Sequence, residues 1–510
     1  MLKRRASFII YIFLTLFPAV YLMATGGRDF GISLNQRRMG LLVNSLLIAA
    51  LTAAVCVIIS VFAALRLDMA FKKMPVVSWL FLLMAAMPSY IYALSYMNLI
   101  RFIGKFYPAV LRTRLIGMFP CVIVESLAFL PFALAAAMIG LEQAESAEWK
   151  AALLFVDADK AFFRVALPKI LPFSLGMGAV IFVLSITDYA IPSLFQVNVY
   201  AMEIFSDYSA AGQSTHSFRL ALPLILISSA AILFSVIGFG NISRPMKDNT
   251  DLKPQYSKKL IAVGNICVGF ALLQIILPLV SMFPYLTEFS SEYVPVWEEL
   301  LNSCICGLLA VFILLIPSAS MALTLSEEKK AEKTILMALS LIPLTIPGVL
   351  TGIGVLRVFS DSFLYPFRRS MLFPAVGMAV RYMPFAMIIQ YGAYLRMDRE
   401  KIRAAILLQT QSIKGFFGVK LPMMLPGIFV SSVVVFLLTL GDVGTALMLM
   451  VAGKEPLSVK IYNYLHYGSS ETVAVFCLIQ MIVCLALMII LYLVIVGRKG
   501  VVKKCWKLKT

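Results

Sequence analysis

Four ionisable residues, Glu125, Asp188, Arg381 and Asp442, stand in otherwise apolar stretches of this 510-residue chain. An Asp or Arg at the centre of a membrane helix costs about 2.5–3.5 kcal/mol on insertion scales, so such residues usually face a bundle interior or a solute pathway. Asp188 in Ser-Ile-Thr-Asp and Asp442 in Thr-Leu-Gly-Asp lie 254 residues apart. Asp188, Gly441, Asp442, Arg381 and Glu125 are therefore candidates for the lining or gate of a translocation path. Near span ends the two Asp suit helix capping equally well. Arg381 is expected to pair with Glu125 or with an Asp, a choice the sequence leaves open. The chemistry on offer is electrostatic guidance of a solute. No group of acids or His at one membrane depth marks a catalytic centre, and His216 and His466 are too few to argue for a metal site.

The same 254-residue interval separates two copies of one motif. Phe162-Phe163-x-Val165-x-Leu167-Pro168-x-x-x-Pro172 recurs as Phe416-Phe417-x-Val419-x-Leu421-Pro422-x-x-x-Pro426, each preceded by an Ala pair, Ala151-Ala152 and Ala404-Ala405. The segment 149–167 reads as a short amphipathic helix lying along the membrane surface. Leu-Pro is expected to end it, because Pro lacks a donor and biases its predecessor away from the α region. Pro172 and Pro426 suit the first turn of the following span. Small Ala side chains allow close backbone approach, and two adjacent Phe supply a compact anchor for a partner groove. Lipid demands apolarity without a fixed spacing, so the six identities point to a docking element.

The elements that position these residues are membrane spans. A hydrophobic fraction of 61% with 14% charged residues is far from a soluble domain. Long apolar runs predict twelve helices, near 8–24, 42–65, 76–99, 115–139, 173–193 and 220–242, then 260–284, 302–325, 335–356, 371–394, 428–450 and 473–497. Met1-Leu-Lys-Arg-Arg before an apolar run also fits a signal peptide. The run at 260–284 is its mid-chain counterpart, so both are read as first spans of a half. The net charge of +18 comes from Lys and Arg in short loops, which is read as cytoplasmic retention and not as a nucleic-acid surface. With the N-terminus inside, 30 of the 44 Lys and Arg fall on inner segments and 13 on outer ones, the remaining one being Arg381. Both termini are accordingly expected in the cytoplasm.

The repeat extends further. Asn44-Ser45 matches Asn302-Ser303, Met87-Pro88 matches Ile346-Pro347, and Leu130-Pro131-Phe132-Ala133 matches Met383-Pro384-Phe385-Ala386. Each copy has six spans and ends on the same side, which implies a parallel duplication about an axis along the membrane normal. The fold expected is an all-α polytopic membrane protein of about twelve helices in two homologous six-helix halves. The first domain covers 1–243, a polar cytoplasmic linker 244–258, and the second domain 259–510. Seven of the eight Cys fall in apolar runs, as small hydrophobes do.

Placed between the fourth and fifth spans of each half, the repeated motif resembles the "EAA" loop of binding-protein-dependent ABC importer permeases: Glu-Ala-Ala, then Gly, then an aromatic pair and Leu-Pro-x-x-x-Pro. Where that pattern has Glu, this chain has Trp149 and Arg403; where it has Gly, it has Phe155 and Gln409; in the first copy Lys150 also replaces the first Ala. The resemblance covers nearly the whole chain, in the fused two-domain form of the iron(III)-, thiamine-, phosphonate- and polyamine-type permeases. Arg381-Tyr382-Met383-Pro384-Phe385, Thr439-Leu440-Gly441-Asp442 and Pro456-Leu457-Ser458-Val459 are further likenesses. It implies a type I importer permease in a bacterial inner membrane. Ala151, Ala152, Phe162, Phe163, Leu167 and Pro168, with Ala404, Ala405, Phe416, Phe417, Leu421 and Pro422, would couple it to two cytoplasmic ABC ATPase subunits. An extracytoplasmic solute-binding protein would deliver substrate, with ferric iron a weak preference. No Gly-x-x-x-x-Gly-Lys-Ser/Thr is present, so ATP and Mg belong to the partner, and this chain is expected to carry no cofactor and no enzymatic activity. The competing reading is an ion-coupled secondary transporter with twelve spans.

Overall fold

The computed structural model describes residues 2–25, 35–73, 87–106, 117–144, 147–211, 214–240, 256–287, 296–395, 397, 421–467, 472–487 and 489–490. The chain is an all-α, multi-span membrane protein, as its composition requires. Among the described residues nine helices are long and apolar enough to cross a bilayer, and a bent pair makes a tenth. The described parts of the other two expected spans are Ser89–Phe106 and Thr472–Leu487.

The bent pair corrects one expectation. A continuous span was expected at 335–356, yet Ala331–Thr345 and Gly348–Asp361 meet at 88°. The cause is local. Ile346 is extended at φ −85°, ψ 119°, as a residue before Pro prefers to be. Pro347, at φ −54° and ψ 143°, then opens a new helix, Gly348–Ser360. Pro88 does the same in the first half, immediately before the helix Ser89–Phe106.

The halves repeat one another element by element. Leu167–Ile186 and the short helix Ala190–Leu194 recur as Leu421–Leu440 and Gly444–Met448. Ser45 Oγ accepts the Tyr200 N–H at 2.9 Å, and Ser303 Oγ accepts the Leu457 N–H at 2.8 Å. Beside each lies an ion pair, with the signs exchanged. Arg37 and Arg38 hold Glu203 in the first half, whereas Glu299 holds Lys460 at 2.5 Å in the second.

The first helix of each repeat packs on the opposite half. In the helix Leu2–Thr25, the Tyr11 hydroxyl donates to Ser340 O at 3.1 Å. A Cβ on Gly354 would stand 2.8 Å from Pro18 O. Reciprocally, the helix Lys258–Thr287 lies on the first half. Gln274 Nε2 donates to Leu127 O at 2.6 Å, and Arg66 Nε donates to Asn265 Oδ1 at 2.9 Å. In lipid, where apolar burial drives little helix association, such close approach and polar bonding tie helices together.

Candidate functional site

A cavity of about 130 Å³ opens where the halves meet. Each half supplies it with the same three elements. The starts of the helices after Pro88 and Pro347 bring Pro88 and Ser89 from one side and Gly348 and Val349 from the other. The helices Met118–Ala144 and Leu372–Leu395 contribute Phe129 and Phe132 against Arg381, Tyr382 and Phe385. The turns that follow Ile186 and Leu440 contribute Asp188 and Tyr189 against Gly441 and Asp442. The matched rings of Phe132 and Phe385 meet at 6.2 Å between centroids, and Gly441 brings its backbone against Pro88, which a Cβ would approach to 3.1 Å.

Asp188 and Asp442 were expected inside their spans and stand just beyond the last helical turn. Each carboxylate caps the short helix that follows. Asp188 Oδ1 accepts the Ala190 N–H at 3.0 Å, and Asp442 Oδ1 accepts the Thr445 N–H at 2.9 Å. Capping and lining are thus both filled by the same side chains, because a carboxylate has oxygens to spare. Arg381 supplies the one cation among the cavity-lining residues. Its Nε lies 3.7 Å from Asp442 Oδ2, and its Nη1 donates to Thr445 Oγ1 at 3.3 Å. Asp188 lies within electrostatic reach of the same guanidinium.

The partner of Arg381 is therefore Asp442. Glu125 is buried in the first half, away from the cavity lining, where Ser185 Oγ, Thr52 Oγ1 at 3.3 Å and Cys121 Sγ donate to it. Its helix turns it toward its own half, so it is not among the cavity-lining residues. Sequence reasoning passed over Gly348, whose missing side chain makes room for the Arg381 guanidinium; a Cβ there would overlap it. The signal was present in Pro347-Gly348, matched by Pro88-Ser89. It also passed over a contact between the halves next to the lining residue Tyr189. There Ser193 Oγ and the Tyr462 hydroxyl, from opposite halves, stand 2.7 Å apart, and Tyr189 sits between Phe205 and Tyr462. Gly348→Ala is expected to push Arg381 off Asp442 and lower stability by about 1–3 kcal/mol, the usual range for overpacking. A thermal melt of the purified chain beside the parent checks it.

The helix Leu167–Ile186 runs from the cavity to the repeated motif. Leu-Pro was expected to end a helix there, and it does not. A helix Ala147–Phe155 breaks at Val156-Asp157, and Ala158–Ala161 restarts it. A π-turn, Phe162–Ala166, then leads into Leu167–Ile186 without interruption. Pro168 stands in the first turn, where an N–H is dispensable. Pro172 and Pro426 lie deeper inside their helices than expected.

The aromatic pair divides. Phe162 is fully buried against Phe62, Ile170 and Leu260, while Phe163 is 51% exposed. The pair therefore does not present one exposed surface, because successive helical residues point in different directions, and Phe163 is its exposed member. Leu154 and Phe155 join it, at 78% and 85% exposed. Ala151 is exposed, Ala152 half-buried, Leu167 half-buried and Pro168 exposed. In the second copy Leu421 and Pro422 open the helix Leu421–Leu440, whereas Ala404, Ala405, Phe416 and Phe417 lie outside the described residues.

Residues 316–500 match the family described as "Binding-protein-dependent transport system inner membrane component". The chain is 23% identical over 166 residues to a spermidine/putrescine transport system permease protein PotC homolog of Mycoplasma genitalium, covering 32% of this chain and 58% of that protein. It is 29% identical over 145 residues to the PotC homolog of Mycoplasma pneumoniae, covering 28% and 50%. It is also 24% identical over 174 residues to the molybdate/tungstate transport system permease protein WtpB of Pyrococcus abyssi, covering 34% and 67%. The matches thus span about half to two thirds of the length of these relatives. The matched region contains Arg381, Asp442 and Gly348, which line the cavity, and in sequence the second copy of the motif. Over residues 316–500 the chain is similar to the inner-membrane components of binding-protein-dependent transport systems, and the relatives it matches are named as transport permeases.

Proposed function

We propose that this chain is the membrane-spanning permease of an ATP-driven importer, moving a small solute from an external binding protein through the cavity between its halves. One observation carries the reading. The exposed apolar tip at Leu154, Phe155 and Phe163 is joined to Asp188 at the cavity by a helical segment, Ala158–Ile186, of 29 residues. At 1.5 Å per residue this is a lever about 43 Å long. A partner gripping the tip moves the cavity wall as a rigid body, which is how packed helices switch between discrete states. The repeat supplies a second lever, Leu421–Leu440, headed by Phe416-Phe417. On this reading the tips face the cytoplasm of a bacterial inner membrane, as do both termini, and two ABC ATPase subunits hold them. ATP and Mg act on those subunits, and the permease itself makes and breaks no bonds.

Ferric iron is a weak preference taken from the fused two-domain resemblance, and the relatives carry polyamine and molybdate/tungstate names. Selectivity then resides largely in the binding protein. The chain purified from its native membrane with its associated subunits is expected to hydrolyse ATP faster when its loaded binding protein is added. Uptake into proteoliposomes driven by an ion gradient and indifferent to ATP would favour the secondary-transporter reading instead.

A further inference from the structure

We propose that Tyr256 and Ser257, where the connection between the halves enters the second half, form a clamp that sets the angle of the first docking element. The proposal rests on the docking reading above and goes beyond it by assigning a positioning role to the connection.

The docking element is two short helices that meet at a kink, Val156-Asp157, and the exposed Leu154 and Phe155 project from that kink. Consecutive residues of the connection hold the two sides. On one side Tyr256 packs edge-on against Trp149, with ring centroids 5.6 Å apart. On the other, the Ser257 hydroxyl donates to the Asp159 carboxylate. The same Ser257 oxygen accepts the Leu260 N–H at 3.2 Å and so caps the helix Lys258–Thr287. A ring contact and a hydrogen bond from consecutive residues, placed across a kink, fix its angle. Neither alone would.

The clamp is seated in a packed core. Trp149 is 1% exposed and shares a cluster with Leu260, Phe162, Val61 and Leu65. Just beyond, a Cβ on Gly264 would stand 3.1 Å from Phe62 O, so Lys258–Thr287 lies flush against the first half. Trp149 occupies the place where the resembled pattern has Glu. A carboxylate there would meet the ring of Tyr256 and an apolar cluster, whereas indole fills the space. The large residue thus matches the connection that covers it.

The test places spin labels at Ala151→Cys and Lys160→Cys, on either side of the kink, in the full chain with Cys505→Ser. The label–label distance distribution is expected to be single and narrow. It should broaden in Tyr256→Ala/Ser257→Ala and stay narrow in Tyr256→Phe, which keeps the ring. Asp159→Asn, a milder change should the double variant fail to insert, is expected to broaden it partly. In the assembled transporter, ATP hydrolysis stimulated by the binding protein should fall about tenfold in the double variant and recover in Tyr256→Phe. A distribution as narrow in Tyr256→Ala/Ser257→Ala and Asp159→Asn as in the parent overturns the clamp. Broadening with the ATPase still bound at parental strength overturns the docking reading beneath it.

Discussion

Alanine in place of Arg381 is expected to destabilise the folded chain by about 3–5 kcal/mol, the cost of leaving a buried charge without its partner. The Asp442 side chain is only 2% exposed and lies 3.7 Å from the guanidinium. At an effective dielectric of about 20, two charges about 4 Å apart attract by about 4 kcal/mol. Removing the cation leaves the Asp442 carboxylate with its Thr445 cap and no other cation among the cavity-lining residues. Arg381→Ala/Asp442→Ala should therefore recover most of the lost stability, a coupling that a double-mutant cycle measures directly. Thermal melts of the four proteins in one detergent decide the matter. Simple additivity of the two losses would show that the pair contributes nothing as a pair. Transport separates structure from gating. On the proposed reading the double variant should regain the melting temperature without regaining uptake, because the cavity has then lost two of the three ionisable residues, Asp188, Arg381 and Asp442, that line it.

The second large effect concerns the tip of the lever. Leu154→Ala/Phe155→Ala/Phe163→Ala is expected to weaken binding of the partner ATPase about 30-fold or more, since truncating a hot-spot residue typically costs 2 kcal/mol or more. These side chains are exposed, so insertion and melting temperature should stay near the parent's. Phe162→Ala is the contrast. Its ring is fully buried, and a Phe→Ala cavity costs about 3–5 kcal/mol. That variant should lose stability, whereas the triple variant should lose its partner. Co-purification of the ATPase, scored beside a melt, distinguishes the two. Retention of the ATPase by the triple variant at parental strength would remove the tip as the docking surface. Phe416→Ala/Phe417→Ala extends the test to the second copy and is expected to uncouple hydrolysis from uptake with insertion intact.

Much of this architecture is written in one dimension. Apolar runs of about 20 residues have no soluble alternative, so the spans near 8–24, 42–65, 115–139 and 302–325 could be read directly. The 254-residue interval required no structure either, and Leu167–Ile186 and Leu421–Leu440 follow it at both ends. What packing decided lies in side-chain direction and local backbone. Phe162 and Phe163 are the same residue type one position apart, yet only one points outward. Arg381 had two kinds of acidic neighbour open to it along the chain, and the turn after Leu440 brought Asp442 to it while Glu125 turned inward. A proline inside an apolar run reads as a kink or a break with equal ease. At Pro347 the backbone took the break, and the structure showed what the string could not, that Gly348 beside it leaves space for a guanidinium from another helix. Hydropathy and repetition are properties of a string. Which atoms meet is a property of helices exchanged between two halves, set by contacts hundreds of residues apart.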